Sequence, residues 1–364
     1  MPIGKERIGV GVIGSGRIGS LRAHLAAGSP RVNFLAVSDI DPARARAVAQ
    51  QAEAAFYSAD NRAVIEHPEV DAVIVATPEG DHTEAVCLAL ALGKPVLVEK
   101  PLALNLADAD RILAAQARSG ADLFVGYTQR LRRRFLSVKE HIEAGRLGEV
   151  MAARLNIYHS RSDARQMRAR AGGTTPFTNS LTYMADLALW FFAPRRPVRV
   201  YAVGGGEVFP DTPGGLGDHG WAIVTFEDGA AASLGASWIL PAKWPAYVAS
   251  MGMDLFGSEG AIAIDDGHKD VVLAVDEGLS LPGAPEPLEV AFLGSAMPGD
   301  WAMGDFYGPM REESRLFIER AATGRAVPLC TGAEGRTVLE LTVAMEKSAR
   351  GGGEVVPLPL GEGA

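Results

Sequence analysis

Hydrophobic residues come in short unbroken runs through the first third of the chain, as at Val73-Ile74-Val75-Ala76 and Pro95-Val96-Leu97-Val98. A run without polar alternation marks a strand covered on both faces. Strands are expected at 8–13, 33–39, 71–76, 95–98 and 122–126. Helical spacing takes over between them, for example at 42–54, with Pro42 in the first turn, and at 81–92, with Asp81 placed to cap and Gly93 to end it. Strictly alternating strands and helices predict a parallel, doubly wound α/β sheet.

The pattern changes after about residue 148. Strand-like segments lie at 149–159, 198–205, 220–227, 230–237, 247–256 and 260–264, with a single helix at 178–192 among them. Asp228-Gly229 separates two of these strands and is a strong hairpin signal. Helical patterns at 307–323 and 332–349 follow, and the tail from Gly351 reads as mobile. This half is expected to form an α+β domain with a large, open, mostly antiparallel sheet and helices on one face.

The first strand runs straight into Gly14-Ser15-Gly16-Arg17-Ile18-Gly19. A G-x-G-x-x-G between a strand and a helix is the dinucleotide fingerprint: the first glycine permits a tight turn, the second lets a pyrophosphate approach, and the third lets helix and strand pack closely. The pyrophosphate would sit on free N–H groups at the helix N-terminus. Asp39 lies 20 residues beyond Gly19, at the end of the second strand. A carboxylate there accepts hydrogen bonds from the adenosine ribose and repels a 2′-phosphate, so NAD is expected rather than NADP, although Arg44 stands nearby. Residues 1–126 therefore read as a dinucleotide-binding Rossmann domain, and 127–364 as a domain for substrate binding and oligomerisation.

Charge and composition narrow the alternatives. A formal net charge of −9 argues against nucleic acid. The one basic run, Arg130 with Arg132, Arg133 and Arg134, reads as a solvated helix face. Cys87 and Cys330 belong to no Cys/His cluster, which excludes a disulfide framework and a zinc site and fits a reducing cytoplasm. No run reaches the roughly 20 apolar residues of a membrane helix. Lys5 and Arg7 before an apolar stretch imitate a signal peptide, but that stretch is the first strand of the sheet.

Together, the fingerprint, Ala76-Thr77-Pro78, His82, Val98-Glu99-Lys100-Pro101, Gly126-Tyr127-Thr128-Gln129-Arg130 and Gly145-Arg146-Leu147-Gly148-Glu149 resemble the Gfo/Idh/MocA family, the glucose–fructose oxidoreductase and inositol dehydrogenase group. The resemblance covers nearly the whole chain. It implies that Thr77, Pro78 and His82 border the nicotinamide side, that Glu99 supports the cofactor ribose or Lys100, and that Arg130 lies near the cofactor, with Gln129 at the family's Asn position. It also implies a homodimer or homotetramer built through the C-terminal sheet.

The family brings an Asp-x-Gly-x-His-x-x-Asp helix to the nicotinamide. The matching stretch is Asn179-Ser180-Leu181-Thr182-Tyr183-Met184-Ala185-Asp186, so Tyr183 stands at the His position and Asn179 at the leading Asp. The two departures are coherent. A carboxylate favours an imidazolium but disfavours a phenolate, and a nearby lysine favours the phenolate. The expected catalytic pair is Lys100 and Tyr183, with the proton-transferring group left open between them; Asn179 and Arg161 join them as substrate-binding residues. Arg161, Arg165, Arg168 and Arg170 read as a loop able to hold an anion, and Trp238 and Trp244 as rings able to stack on a sugar. The reaction implied is NAD-dependent hydride transfer at a carbinol or carbonyl of a sugar, cyclic polyol or derivative. The alternative is a dinucleotide-binding sensor on the same fold without turnover.

Overall fold

A computed structural model describes residues 4–361 except 171–172, 246–249, 267–270, 281–284 and 294–298. The chain forms two compact units, Met1–Leu131 with Gly304–Leu339, and Arg132–Met303 with Glu340–Ala364. A chain that leaves the first unit near residue 131 and later returns to it has no single boundary of the kind expected after residue 126. The helical pattern at 307–323 thus belongs with the N-terminal unit.

The first unit is built on β1 (Ile8–Ile13), β2 (Val32–Ser38), β3 (Phe56–Ser58), β4 (Ala72–Val75), β5 (Val96–Glu99) and β6 (Leu123–Gly126). They lie in the order β6-β5-β4-β1-β2-β3, all parallel, and Cys330–Thr331 adds an antiparallel edge beside β6. The order reverses at β1, which pairs with β2 on one side and β4 on the other. That reversal opens the crevice where α/β sheets take ligands, at the carboxyl ends of the strands. Val10, Val12, Val73, Ile74, Val96, Leu97 and Val98 are fully buried, as strands covered on both faces require.

The helices of this unit are α1 (Arg17–Ala27), α2 (Pro42–Gln51), α3 (Asn61–Ile65), α4 (His82–Ala91) and α5 (Leu106–Ser119). Asp41 caps α2 through its side chain, and Asn105 caps α5. Asp81 precedes α4 but makes no side-chain cap; a short 3₁₀ turn, Glu79–Asp81, leads into that helix instead.

The second unit carries α6 (Arg133–Glu143), β7 (Val150–Ser160), α7 (Arg161–Arg170), α8 (Thr182–Phe192), β8 (Pro197–Gly205), β9 (His219–Phe226), β10 (Ala231–Leu240), β11 (Ser250–Gly257) and β12 (Ala261–Asp266). Its sheet runs β12-β11-β7-β10-β9-β8 and then Val356–Pro357, antiparallel except for β7 beside β10. The tail past Gly351 is therefore tied to β8 at Val356, rather than loose. Asp228-Gly229 turns β9 into β10 as expected. Alternation sorts the sheet's faces. Leu155, Ile157, Ala222, Val224, Leu234, Ala236 and Trp238 are buried on the side that α8 covers. Tyr201, Trp221, Ile223 and Phe256 are exposed on the other side.

The remaining helices are α9 (Pro309–Thr323) and α10 (Gly332–Arg350). The pairs Val271–Leu279 with Leu288–Leu293, and Asp300–Ala302 with Asp305–Tyr307, were not foreseen from the alternation of the sequence.

Candidate active site

The fingerprint glycines occupy the turn from β1 to α1, and each meets a different constraint. Gly14 sits at φ +92°, and a Cβ there would come within 2.6 Å of the Ala76 carbonyl oxygen. A Cβ on Gly19 would lie 1.8 Å from the Gly14 carbonyl oxygen. A Cβ on Gly16 would meet nothing within 4 Å. No atom of the described residues therefore demands a glycine at position 16, and the space suits a ligand that must touch the backbone. Gly16 begins α1 without a side-chain cap, and the first turn holds no acidic residue. Its N–H groups and dipole suit a pyrophosphate. Arg17 is exposed beside this turn and Ile18 half-buried.

Asp39 closes the other side of the crevice. Its Oδ2 accepts from the Ser15 backbone N–H at 2.8 Å, and its Oδ1 from Asp41 N–H at 2.9 Å. The carboxylate thus stiffens the fingerprint turn, and its remaining lone pairs can accept from ribose hydroxyls. Arg44 pairs with it at 3.3 Å.

Thr77 and Pro78 follow β4 at the same sheet edge, and the Thr77 Oγ1 is buried without a partner among the described residues. Both nitrogens of His82 face carbonyl oxygens: Nδ1 lies 2.9 Å from Pro101 O and Nε2 lies 3.2 Å from Thr77 O. Burial pushes its pKa down, so the ring is neutral and one N–H donates at a time. His82 therefore joins the segment after β4 to the segment after β5, with both ring nitrogens facing backbone carbonyls.

Lys100 follows β5. Burial lowers its pKa, and the nearby carboxylates of Glu79 and Glu99 oppose that shift only in part. Glu99, besides acting on Lys100, meets a partner that the sequence did not single out. Arg22, fully buried in α1, donates from Nε to Glu99 Oε1 at 2.8 Å, pairs with Glu313, and donates to Ser314 Oγ at 2.9 Å. Burial opposes the guanidinium charge, but the two carboxylates outweigh it and raise its pKa. Glu99 thus locks the end of β5 to α1 and α9. Neither Arg22 nor Glu313 was singled out from sequence; the one available signal was an arginine set among the small residues of a helix that must pack closely.

Arg130 is buried in a 3₁₀ turn, Thr128–Leu131, and its Nη1 donates to Glu334 at 3.0 Å. Arg132 is buried as well. The basic run is therefore not one solvated face.

In the second unit the expected helix 178–192 begins as a π-turn, Phe177–Leu181, and continues as α8. π-turns often mark functional positions. Asn179 and Tyr183 are half-buried, whereas Asp186 is fully buried, so the three do not share one exposure. The stretch containing Arg161, Arg165 and Arg168 is the helix α7, not a loop. Arg161 is exposed at its first position, and Arg168 pairs with Asp211 at 2.8 Å. Trp238 is buried, and its Nε1 donates to Ser180 Oγ at 2.8 Å, which fixes the π-turn and leaves no face for stacking on a sugar.

Cys87 and Cys330 are free thiols. Among the described residues no group of three or more His, Cys, Asp or Glu side chains is placed to hold a metal ion. Among those residues, too, no helix is long and apolar enough to cross a membrane.

Residues 8–127 match a family model described as an oxidoreductase family with an NAD-binding Rossmann fold, and residues 135–263 match the GFO/IDH/MocA C-terminal domain. The myo-inositol 2-dehydrogenase of Thermotoga maritima is 27% identical over 93% of this chain and 95% of its own length. The myo-inositol dehydrogenase Hyg17 of Streptomyces leeuwenhoekii is 29% identical over 94% of this chain and 98% of its own. The fold is shared with the scyllo-inositol dehydrogenase of Lactobacillus casei, solved with NAD(H) and scyllo-inositol, at a TM-score of 0.79 and 19% identity over 96% of this chain and 99% of that one.

Proposed function

The chain belongs to the Gfo/Idh/MocA oxidoreductases, and on that premise we propose that it moves a hydride between NAD and a ring carbinol of a cyclic polyol of the inositol class. The observation that carries this reading is the carboxyl edge of the first sheet. There the space over Gly16, the carboxylate of Asp39, the unpartnered Thr77 Oγ1 and the desolvated Lys100 follow four strands that all run the same way.

When bound, the nicotinamide supplies the hydride-accepting carbon. The chain's own residues do the rest. Gly16 and the first turn of α1 hold the pyrophosphate, and Asp39 holds the ribose and disfavours a 2′-phosphate. Lys100 polarises the carbinol oxygen, Tyr183 exchanges the hydroxyl proton, and Asn179 binds a neighbouring hydroxyl. Arg161 receives no part. The exposed apolar face of the second sheet suits self-association into a dimer or tetramer. The free thiols suit a reducing cytoplasm.

Absorbance of the reduced nicotinamide, followed with the purified protein over a panel of inositols, aldoses, anhydrosugars and sugar acids, tests the reading. Turnover of an inositol with NAD, and weaker turnover with NADP, is expected. Tight dinucleotide binding without turnover of any member would move the weight to a sensor.

A further inference from the structure

His159 stands near the end of β7, 2% exposed. Its Nδ1 lies 2.6 Å from Asp163 Oδ2, one helical turn into α7. A carboxylate only accepts, so Nδ1 carries a proton, and in the neutral ring Nε2 is then the acceptor. That Nε2 is buried and has no partner among the described residues. A buried acceptor without a donor is a cost that folded proteins rarely carry unless a ligand or an ordered water provides the donor.

The surroundings are arranged rather than accidental. Ser160 Oγ accepts from the Asp163 backbone N–H at 3.1 Å, so the start of α7 is fixed to the end of β7. Tyr158 pairs with Ser237 and Ser160 with Leu240, so Trp238 and Ile239 of β10 stand against His159 alone. Such a bulge re-aims a side chain, commonly beside an active site. Trp238 is also the residue that pins Ser180, and Ser180 adjoins Asn179 in the π-turn leading to Tyr183.

We propose that His159 Nε2 accepts a hydrogen bond from a hydroxyl of the polyol substrate, with Asp163 as the positioning residue that fixes the tautomer. The proposal rests on the polyol reading above. It makes His159 a specificity-determining residue: the site accepts a ring with a hydroxyl at one particular carbon and discriminates against the same ring lacking it.

The test is a cycle between residue and substrate, on the NAD-loaded protein. Affinities for myo-inositol, scyllo-inositol and a series of monodeoxy-inositols are measured by calorimetry for wild type, His159→Asn, His159→Gln and Asp163→Asn. Asn keeps a donor to Asp163 but lacks an acceptor at Nε2; Gln can return one. His159→Asn is expected to lose about tenfold to a hundredfold in inositol affinity, with NAD affinity unchanged. It should match wild type for the one deoxy analogue that lacks the contacted hydroxyl. His159→Gln should recover part of the loss, and Asp163→Asn should lose less than His159→Asn. A uniform loss across all analogues, or none, overturns the proposal, and so does a wild type that binds no panel polyol. If His159→Asn does not fold, His159→Leu, which also lacks the acceptor, takes its place in the cycle. A wild type that binds an inositol with the predicted cycle but forms no NADH leaves the His159 assignment standing and overturns the dehydrogenase reading instead.

Discussion

The two sheets of this protein solve opposite problems. In the first unit, strands β1, β4, β5 and β6 are buried on both faces, and function is confined to the edge where they end. In the second, one face is packed under α8 while the other leaves Trp221 at 38%, Ile223 at 45% and Phe256 at 51% exposure. A parallel sheet covered on both faces needs nothing else to satisfy it and can devote its edge to a ligand. An antiparallel sheet with an apolar outer face is half a core and calls for a second surface. The difference lies in what each sheet leaves open: the first an edge lined by polar and charged groups, the second a broad apolar face.

Replacing Lys100 should break the first half of that comparison most severely. Lys100→Met is expected to lower turnover by about a thousandfold while leaving NAD affinity intact. Its effect on stability runs the other way. The folded state lowers the lysine pKa from 10.5, so the protonated form is disfavoured there, and the chain gains stability as pH rises toward that unfolded value. The variant should therefore be at least as stable as wild type at neutral pH, with the difference closing as pH approaches the ordinary lysine range. Thermal melts across pH check this.

Arg22 comes next. Arg22→Met removes the buried guanidinium and strands Glu313 and Glu99, at a cost of about 3–5 kcal/mol. Chemical denaturation should show the loss, and adding Glu313→Gln should return part of it, since one uncompensated charge is then removed.

A smaller effect sharpens the cofactor assignment. Asp39→Ser removes the charge facing a 2′-phosphate and frees Arg44, so the preference for NAD over NADP should narrow by about tenfold to a hundredfold. Steady-state kinetics with each cofactor measures it. The smallest effect on stability falls on the second unit. Ile223→Lys with Phe256→Lys should change stability by no more than about 0.5 kcal/mol per substitution. Yet it should lower the mass seen by light scattering from an oligomer to the monomer. An unchanged mass would remove the outer face from the assembly.

The fold was legible where the sequence had a strict period. Unbroken apolar runs marked β1, β4 and β5 to within a residue or two, and Asp228-Gly229 marked its hairpin. The return of Gly304–Leu339 to the first unit was not legible, because a helix's period says which face is apolar but not which core it joins. Site legibility followed the same logic. Motifs with fixed spacing pointed to Gly14, Gly16, Gly19, Asp39 and Lys100. Long-range partners did not announce themselves: Arg22 meets Glu313 across 291 positions and Arg130 meets Glu334 across 204. The backbone tie made by His82 and the π-turn held by Trp238 were not legible, since each depends on a partner distant in sequence or on a local irregularity.

The most direct measurement follows the hydrogen itself. An inositol carrying deuterium on its ring carbons is mixed with the NAD-loaded protein, and the nicotinamide is recovered for mass spectrometry. The account predicts one deuterium on the reduced nicotinamide with wild type and, in the same time, about a thousandfold less labelled product with Lys100→Met. Reduced cofactor without deuterium, or equal transfer by the two proteins, would contradict it.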